Sequence, residues 1–305
     1  MKAIEYSDYQ GADSFGVVNV SRPTPAEGQV LVKVMAAGVN PFDLKVASGV
    51  VRDLLPIQFP FRPGGEFSGV VAELGPDVQG FAVGDAVHAV NGMGGAFAEY
   101  IAIDADKLVA KPSALSFVEA AALPVAASTA TAVLDAVAVK TGDRILVHAA
   151  AGGVGSILVQ LAVNRGAEVI ALASSANTDF VRALGAHQVI DRTSAYENAV
   201  AGVDAVIDLF GPDAQARSWG LVKAGGIVVS IVAPPDQAEA EKYGVRAILV
   251  RAAPAADALA KANALVADGK LKVHVGRTYP LSEARDAYRM LATQKVRGKL
   301  VLTMG

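Results

Sequence analysis

The chain has 305 residues, 52% of them hydrophobic, and 27 basic against 30 acidic side chains give a formal net charge of −3. The basic residues are scattered rather than gathered into a stripe interleaved with aromatics, which argues against a nucleic-acid partner. No cysteine is present; this removes disulfides, thiolate nucleophiles and every Cys-ligated zinc site, and it fits a reducing compartment, so a cytoplasmic protein is expected.

The N-terminal "MKAIEYSDYQG" enters a strand-like pattern at once, with no apolar leader core. "GQVLVKVMAAG" alternates, with Val30, Val32 and Val34 on one face and Leu31 and Lys33 on the other. "SGVVAELG", "GDAVHAV", "GAFAEYIAI" and "KLVAKP" follow at the short spacing of a β-barrel or sandwich, with Gly84-Asp85 marking a corner. From about residue 113 the pattern changes. Ser116 and Glu119 form a capping box ahead of a helix. The most apolar long window, "VEAAALPVAASTATAVLDAVAV", is interrupted by Glu119, Pro124 and Asp135. It predicts buried helical segments rather than a membrane span, which needs about 20 unbroken apolar residues. "DRILVHA", "EVIALA", "QVID", "VDAVIDLF", "GGIVVSIV" and "VRAILVRA" then alternate with helix-like runs, which predicts a doubly wound parallel sheet with helices on both faces. After residue 265 a strand-like "DGKLKVHVGRTYPL", a helical "SEARDAYRMLATQ" and a closing strand "RGKLVLTM" complete the chain.

The sharpest local signal is "LVHAAAGGVGSILVQLA". Against G-x-G-x-x-G it reads Ala150, Gly152 and Gly155, with an alanine in the first place and an extra glycine at 153. Backbone N–H groups from Ala151 through Val154 are placed to meet a pyrophosphate at a helix N-terminus, and Gly155 permits close packing of the helix on the sheet. A bare strand-to-helix turn gives a similar pattern, but the preceding strand and a second strand about 20 residues on favour a dinucleotide. That second strand runs into Ala173, Ser174 and Ser175 where NAD-selective folds carry an acidic residue. The absence of a carboxylate there predicts NADPH, with Arg192 after "VID" as a source of positive charge. His88, His148, His187 and His274 show no acidic partner in sequence and are expected to be packed rather than catalytic.

Taken in order, "AAGVNPFDLK", "PGGEFSGVVAELG", "VGDAV", "GAFAEY", "AAALPVAASTA", "GDRILVHAAAGGVG", "ALGA", "VDAVID" and "RGKLVL" give the whole chain a resemblance to the medium-chain dehydrogenase/reductase superfamily. The resemblance implies an α/β protein: a GroES-like β-barrel catalytic domain over 1–115, a Rossmann dinucleotide-binding domain over 116–265, and a segment over 266–305 returning to the first. Zinc alcohol dehydrogenases of that superfamily carry a Cys at the position of Asn40 and a His at that of Gly65; neither ligand is present, and Glu66 is left as a structural carboxylate. The chain therefore resembles the metal-free branch of quinone oxidoreductases, ζ-crystallin and NADPH-dependent alkenal/enone reductases, whose acceptor is a small molecule.

That resemblance implies hydride transfer to an electron-poor acceptor whose oxygen gains negative charge. Asn40 is then expected to donate from its amide, Lys45 to place a positive charge near the oxyanion, and Asp43 to orient either; a plain turn beside Pro41 is the competing explanation. Thr129, Ala151, Gly152, Gly153, Val154, Gly155, Ser174, Ser175, Arg192, Phe210, Gly211, Ile231 and Lys299 are the expected cofactor contacts. Val50 and Val51 stand where quinone-reductase relatives often have a tyrosine. An NADPH binder with a structural or regulatory role is the alternative function, and dimers are common among the relatives, with "VRAILVRA" as the suspected contact edge.

Overall fold

The computed structural model describes residues 1–251, 256–293 and 295–305. The chain divides into two compact units. One comprises Met1–Val125, Pro254–Ala267 and Val273–Gly305; the other comprises Ala126–Ala253 and Asp268–Lys272.

The first unit is organised by the strand Gln29–Val39, which pairs with Lys299–Thr303, Glu66–Leu74 and Tyr100–Asp104, all antiparallel. Ala86–Val90 and then Val109–Ala110 extend the sheet beyond Glu66–Leu74, and Val275–Pro280 lies parallel to Lys299–Thr303 on the other side. The alternation expected along the central strand holds only for Lys33, which is exposed, because Leu31 is as fully buried as Val30 and Val32. Its register against Glu66–Leu74 shifts between Leu31 and Val32 and again between Val34 and Ala36; such bulges bend a strand and re-aim its side chains. The core below it is aromatic, with Tyr6, Phe15, Phe67, Phe97 and Tyr288 all buried and the Phe15 and Tyr288 rings meeting edge to face at 5.3 Å.

The capping box is present: Ser116 Oγ accepts from the Glu119 N–H at 3.2 Å, and Glu119 Oε2 accepts from the Ser116 N–H at 2.8 Å. It opens the helix Phe117–Ala121, and Pro124–Val137 forms the next. The apolar window thus folds as two helices, and among the described residues no helix is long and apolar enough to cross a membrane.

The second unit holds six parallel strands in the order Gln188–Asp191, Glu168–Ala173, Arg144–Val147, Val203–Asp208, Val222–Ser230 and Arg246–Leu249. This is the doubly wound arrangement, and strand order reverses between Arg144–Val147 and Val203–Asp208, the point at which such sheets bind ligands. The first crossover helix, Gly153–Asn164, is buried from Gly155 to Ala162 rather than amphipathic. Gln160 on this helix exchanges two hydrogen bonds with the Lys272 backbone, at 2.9 and 2.8 Å. A side-chain amide takes the place of a strand partner there, so "DGKLKVHVGRTYPL" becomes a strand only at Val275–Pro280. Strand Arg246–Leu249 closes the sheet, and the suspected edge segment continues into Ala252, which lies outside the described residues.

Two histidines are built into the cores as neutral rings. His88 sets Nδ1 at 3.0 Å from the Ala120 carbonyl and accepts at Nε2 from the Asn263 amide at 3.0 Å; burial, joined by the charge of Lys111, pulls it down to about 4. His148 meets Ser218 Oγ at 2.9 Å, and burial outweighs the nearby Asp208 to bring it also to about 4. A folded-state value below the unfolded 6.5 means that the unfolded chain binds the extra proton. Their contribution is therefore complete above pH 6.5 and is lost as pH falls toward 4. Thermal denaturation followed by circular dichroism across pH 7 to 4 should show a falling Tm, and a His88→Asn variant, though less stable at pH 7, should lose less over that interval.

Candidate active site

In the first unit the strand Gln29–Val39 delivers the chain to Asn40, which caps the helix Pro41–Ala47. The Asn40 backbone N–H donates to Asp43 Oδ2 at 3.0 Å, and the Tyr288 hydroxyl donates to the same oxygen at 2.5 Å. Asp43 is buried, and burial pushes its carboxyl up to about 6 against the opposing effect of those hydrogen bonds and of Lys299. Asp43 thus fixes where Asn40 begins the helix.

The Asn40 side chain enters a buried cluster with Glu66, 0% exposed, and Lys299, 7% exposed. Lys299 Nζ donates to Asn40 Oδ1 at 2.5 Å, to Glu66 Oε1 at 2.6 Å and to the Val39 carbonyl at 3.2 Å. The Asn40 amide nitrogen donates to Glu66 Oε1 at 2.9 Å, and the Val125 N–H donates to Glu66 Oε2 at 2.8 Å. An ammonium has three N–H groups and no acceptor, so Lys299 is saturated. The amide of Asn40 cannot be flipped, since its oxygen must face the ammonium and its nitrogen the carboxylate. Among the described residues, one amide N–H of Asn40 carries no intramolecular bond.

Gly38 makes room for this cluster, and Gly65, next to Glu66 in the chain, is held against backbone. A Cβ on Gly38 would meet Glu66 Oε1 and, at 2.7 Å, the Ala121 carbonyl oxygen; a Cβ on Gly65 would lie 2.5 Å from the Gly92 carbonyl oxygen. No side chain fits at 65 without moving backbone. Among the described residues no group of three or more His, Cys, Asp or Glu is arranged to hold a metal ion. Lys45 lies half-buried in the last turn of Pro41–Ala47, and the cation bonded to Asn40 is Lys299, expected from sequence among the cofactor contacts. Val50 is 75% exposed.

In the second unit the strand Arg144–Val147 passes through His148 and a left-handed Ala149 to Gly152, which caps Gly153–Asn164 without a side-chain bond. The first-turn N–H groups of Gly153 and Val154 are therefore at a helix end that no side chain caps, the arrangement that takes an anion. A Cβ on Gly155 would collide with the Ala149 carbonyl oxygen and lie 2.8 Å from Ala150 Cα, so the glycine is needed for the turn to close. These residues fit a dinucleotide pyrophosphate.

Around the ends of the neighbouring strands, His148, Leu172, Arg192, Tyr196, Phe210 and Arg217 line a pocket of about 220 Å³. The Arg192 guanidinium stands 5.4 Å over the Phe210 ring. Arg217 is paired with Glu197 at 2.5 and 2.8 Å and donates to the Ser194 carbonyl at 2.7 Å. The loop carrying Phe210 and Gly211 hangs on Asp208, 0% exposed. Its Oδ1 accepts both of their N–H groups at 2.8 Å, while Oδ2 accepts from Gln215 at 2.7 Å and Ser230 at 2.8 Å. Ile231 follows Ser230 and donates its N–H to the Asp208 carbonyl at 3.3 Å. Thr129 is half-buried in Pro124–Val137, beside a buried Ser128 whose hydroxyl has no hydrogen-bond partner among the described residues.

Ser174 and Ser175 follow the strand Glu168–Ala173 as expected. The expectation of a carboxylate-free site does not hold in space, because Asp191 Oδ2 accepts from the Ser175 N–H at 3.0 Å. Asp191 ends the adjacent strand in register with Ala173. Asp191 and Arg217 went unnoticed in sequence; the run "VIDRTS" contains the signal, but only strand pairing shows which residue it faces.

The chain matches the family models described as alcohol dehydrogenase GroES-like domain over residues 26–113 and zinc-binding dehydrogenase over residues 184–302. It is 34% identical to a spinach (Spinacia oleracea) chloroplastic quinone-oxidoreductase homolog, covering 99% of this chain and 98% of that protein. It is 35% identical to the NADPH-dependent alkenal/one oxidoreductase of Arabidopsis thaliana, covering 99% and 79%. A match at 39% identity to the polyketide synthase protein NorB of Streptomyces orinoci spans 92% of this chain but 13% of that much longer one. The solved quinone oxidoreductase of Coxiella burnetii superposes with a TM-score of 0.93 at 37% identity, covering 100% of this chain and 99% of that one. With near-complete coverage, two family models matched in turn and a TM-score of 0.93, the chain belongs to the medium-chain dehydrogenase/reductase superfamily, in its quinone oxidoreductase and alkenal/enone reductase branch.

Proposed function

We propose that this oxidoreductase is zinc-independent and NADPH-dependent and reduces a quinone or an α,β-unsaturated carbonyl. The observation that carries the reading is the locked amide of Asn40. It stands where zinc relatives carry a ligand, with one N–H left over beside a buried ammonium. When bound, the dihydronicotinamide supplies a hydride from its C4, to the β-carbon of an enone or to a quinone. The electron pair displaced by that hydride moves to the acceptor oxygen, and the remaining N–H of Asn40 donates to it. Lys299 has no N–H to spare, so it acts through Asn40, its charge polarising the amide and opposing the negative charge that develops. Lys45 and Asp43 act at most by orienting this end of the helix. The proton that completes the product comes from solvent; His88 and His148 are held neutral in the cores.

For the cofactor, the N–H groups of Ala151, Gly153 and Val154 hold the pyrophosphate, while that of Gly152 donates to the Ala149 carbonyl at 3.0 Å. Gly155 keeps the turn closed, and Thr129, Phe210, Gly211 and Ile231 border the nucleotide. Ser174, Ser175 and Arg192 hold the 2′-phosphate. The Arabidopsis relative's NADPH dependence supports this choice. The sheet edge at Arg246–Leu249 is where we place a homodimer contact.

Nicotinamide absorbance followed with NADPH and NADH against a quinone and a short enone tests the reading; binding of cofactor without turnover on any acceptor would favour the non-catalytic alternative. Asn40→Ala is expected to lower kcat by about 100-fold, the usual cost of an oxyanion donor, while NADPH affinity measured by fluorescence titration stays within about twofold. Arg192→Gln should weaken NADPH binding several-fold and leave NADH binding nearly unchanged. Lys299→Met leaves a buried carboxylate unpaired, a change that costs about 3–5 kcal/mol, and calorimetry should show a correspondingly lower Tm together with reduced kcat.

A further inference from the structure

The strand Gln188–Asp191 pairs with Glu168–Ala173 in parallel register, Asp191 opposite Ala173. In folds of this kind the selecting carboxylate stands at the end of the second strand, where it bonds the ribose 2′-OH and repels a 2′-phosphate. Here that strand ends in alanine and two serines, and a carboxylate reaches the same place from the strand beside it. Asp191 Oδ2 accepts from the Ser175 N–H at 3.0 Å, and Oδ1 accepts from the Thr193 N–H at 2.8 Å and Thr193 Oγ1 at 2.6 Å. Those hydrogen bonds, the Thr193 hydroxyl's first, hold the carboxyl below its ordinary range, so it is charged at neutral pH. The opposing charge is the next residue, Arg192. Arg217, which also lines the pocket, is already paired with Glu197.

We propose that Asp191 is the specificity-determining residue of the cofactor site: its carboxylate holds down the preference for NADPH over NADH that Ser174, Ser175 and Arg192 would otherwise set. This rests on the dinucleotide reading of the second unit given above. The carboxylate also takes the Ser175 N–H, a donor that a 2′-phosphate would otherwise use. Removing one unit of negative charge within several ångströms of a dianion, at a site open to water, changes its affinity by roughly three- to tenfold, and salt screens the effect.

The test is fluorescence titration of wild type, Asp191→Asn and Asp191→Ser with NADPH and NADH, at low salt and at about 0.5 M salt. Asparagine keeps an acceptor for Thr193 or Ser175 and removes the charge; serine guards against a variant that fails to fold. The expected result is a three- to tenfold rise in the NADPH-to-NADH affinity ratio, mostly from tighter NADPH binding, that shrinks at high salt. An unchanged ratio, or an equal loss of both cofactors, would show that Asp191 only ties the two loops together and would overturn the inference while leaving the dinucleotide site standing. Wild-type protein that binds neither cofactor would overturn both.

Discussion

The ion pair between Glu66 and Lys299 governs how the buried polar cluster of the first unit is built. Taking a carboxylate and an ammonium out of water costs several kcal/mol for each ion, and their attraction offsets this only when the remaining donors and acceptors are also met. Here they are. Lys299 gives its three N–H groups to Glu66, Asn40 and Val39, and Glu66 receives Lys299, Asn40 and the Val125 N–H on its two oxygens. The pair therefore dictates the rest of its surroundings: a glycine at 38 to admit the carboxylate, a backbone N–H at 125 aimed inward, and an asparagine at 40 whose oxygen and nitrogen face opposite charges. The chain joins these pieces from the central strand, its neighbour and the last strand, so the cluster cannot form until the sheet has.

That dependence bears on the proposed reading, in which this site works without a metal. A divalent cation stabilises an oxyanion directly. On the function proposed above, a saturated ammonium behind an amide would do so at one remove, through a donor whose direction is fixed before the acceptor arrives. Such preorganisation suits an electron-poor acceptor, whose oxygen needs a hydrogen bond, better than an alcohol, which must first lose a proton. Gly65 gives the change a backbone basis, since the Gly92 carbonyl oxygen occupies the space into which a side chain would have to project.

Much of the fold was legible because it is written in local grammar. The Ser116–Glu119 box and the glycine turn need only neighbours in sequence, the strands of the parallel sheet are marked by their own apolar runs, and each formed where expected. Glu66 was read as structural, and the cluster bears that out. What was not legible is long-range. Lys299 is expected among the cofactor contacts, and only the antiparallel pairing of its strand with the central strand, Leu300 opposite Val39, shows that it reaches Asn40. Leu31 looked outward by alternation and is buried because the strand bulges and is paired on both sides. Tyr288 on Asp43 joins residues 245 apart in the chain, and nothing in either stretch announces the bond.

The same distinction bears on cofactor choice, where a rule stated in sequence terms concerns position in space. An acidic residue at the end of the second strand selects against a 2′-phosphate because of where its charge lies, and the end of the third strand is one strand spacing, about 4.8 Å, away. Equal strand ends in a parallel sheet place Asp191 and Ala173 side by side, and the Ser175 N–H closes the gap. A sheet of this kind thus has two strand ends from which one charge can act on the ribose. On the inference drawn above, the serine pair invites a phosphate only as far as Arg192 outweighs its immediate neighbour in the chain, so the balance is struck between two adjacent residues of opposite sign.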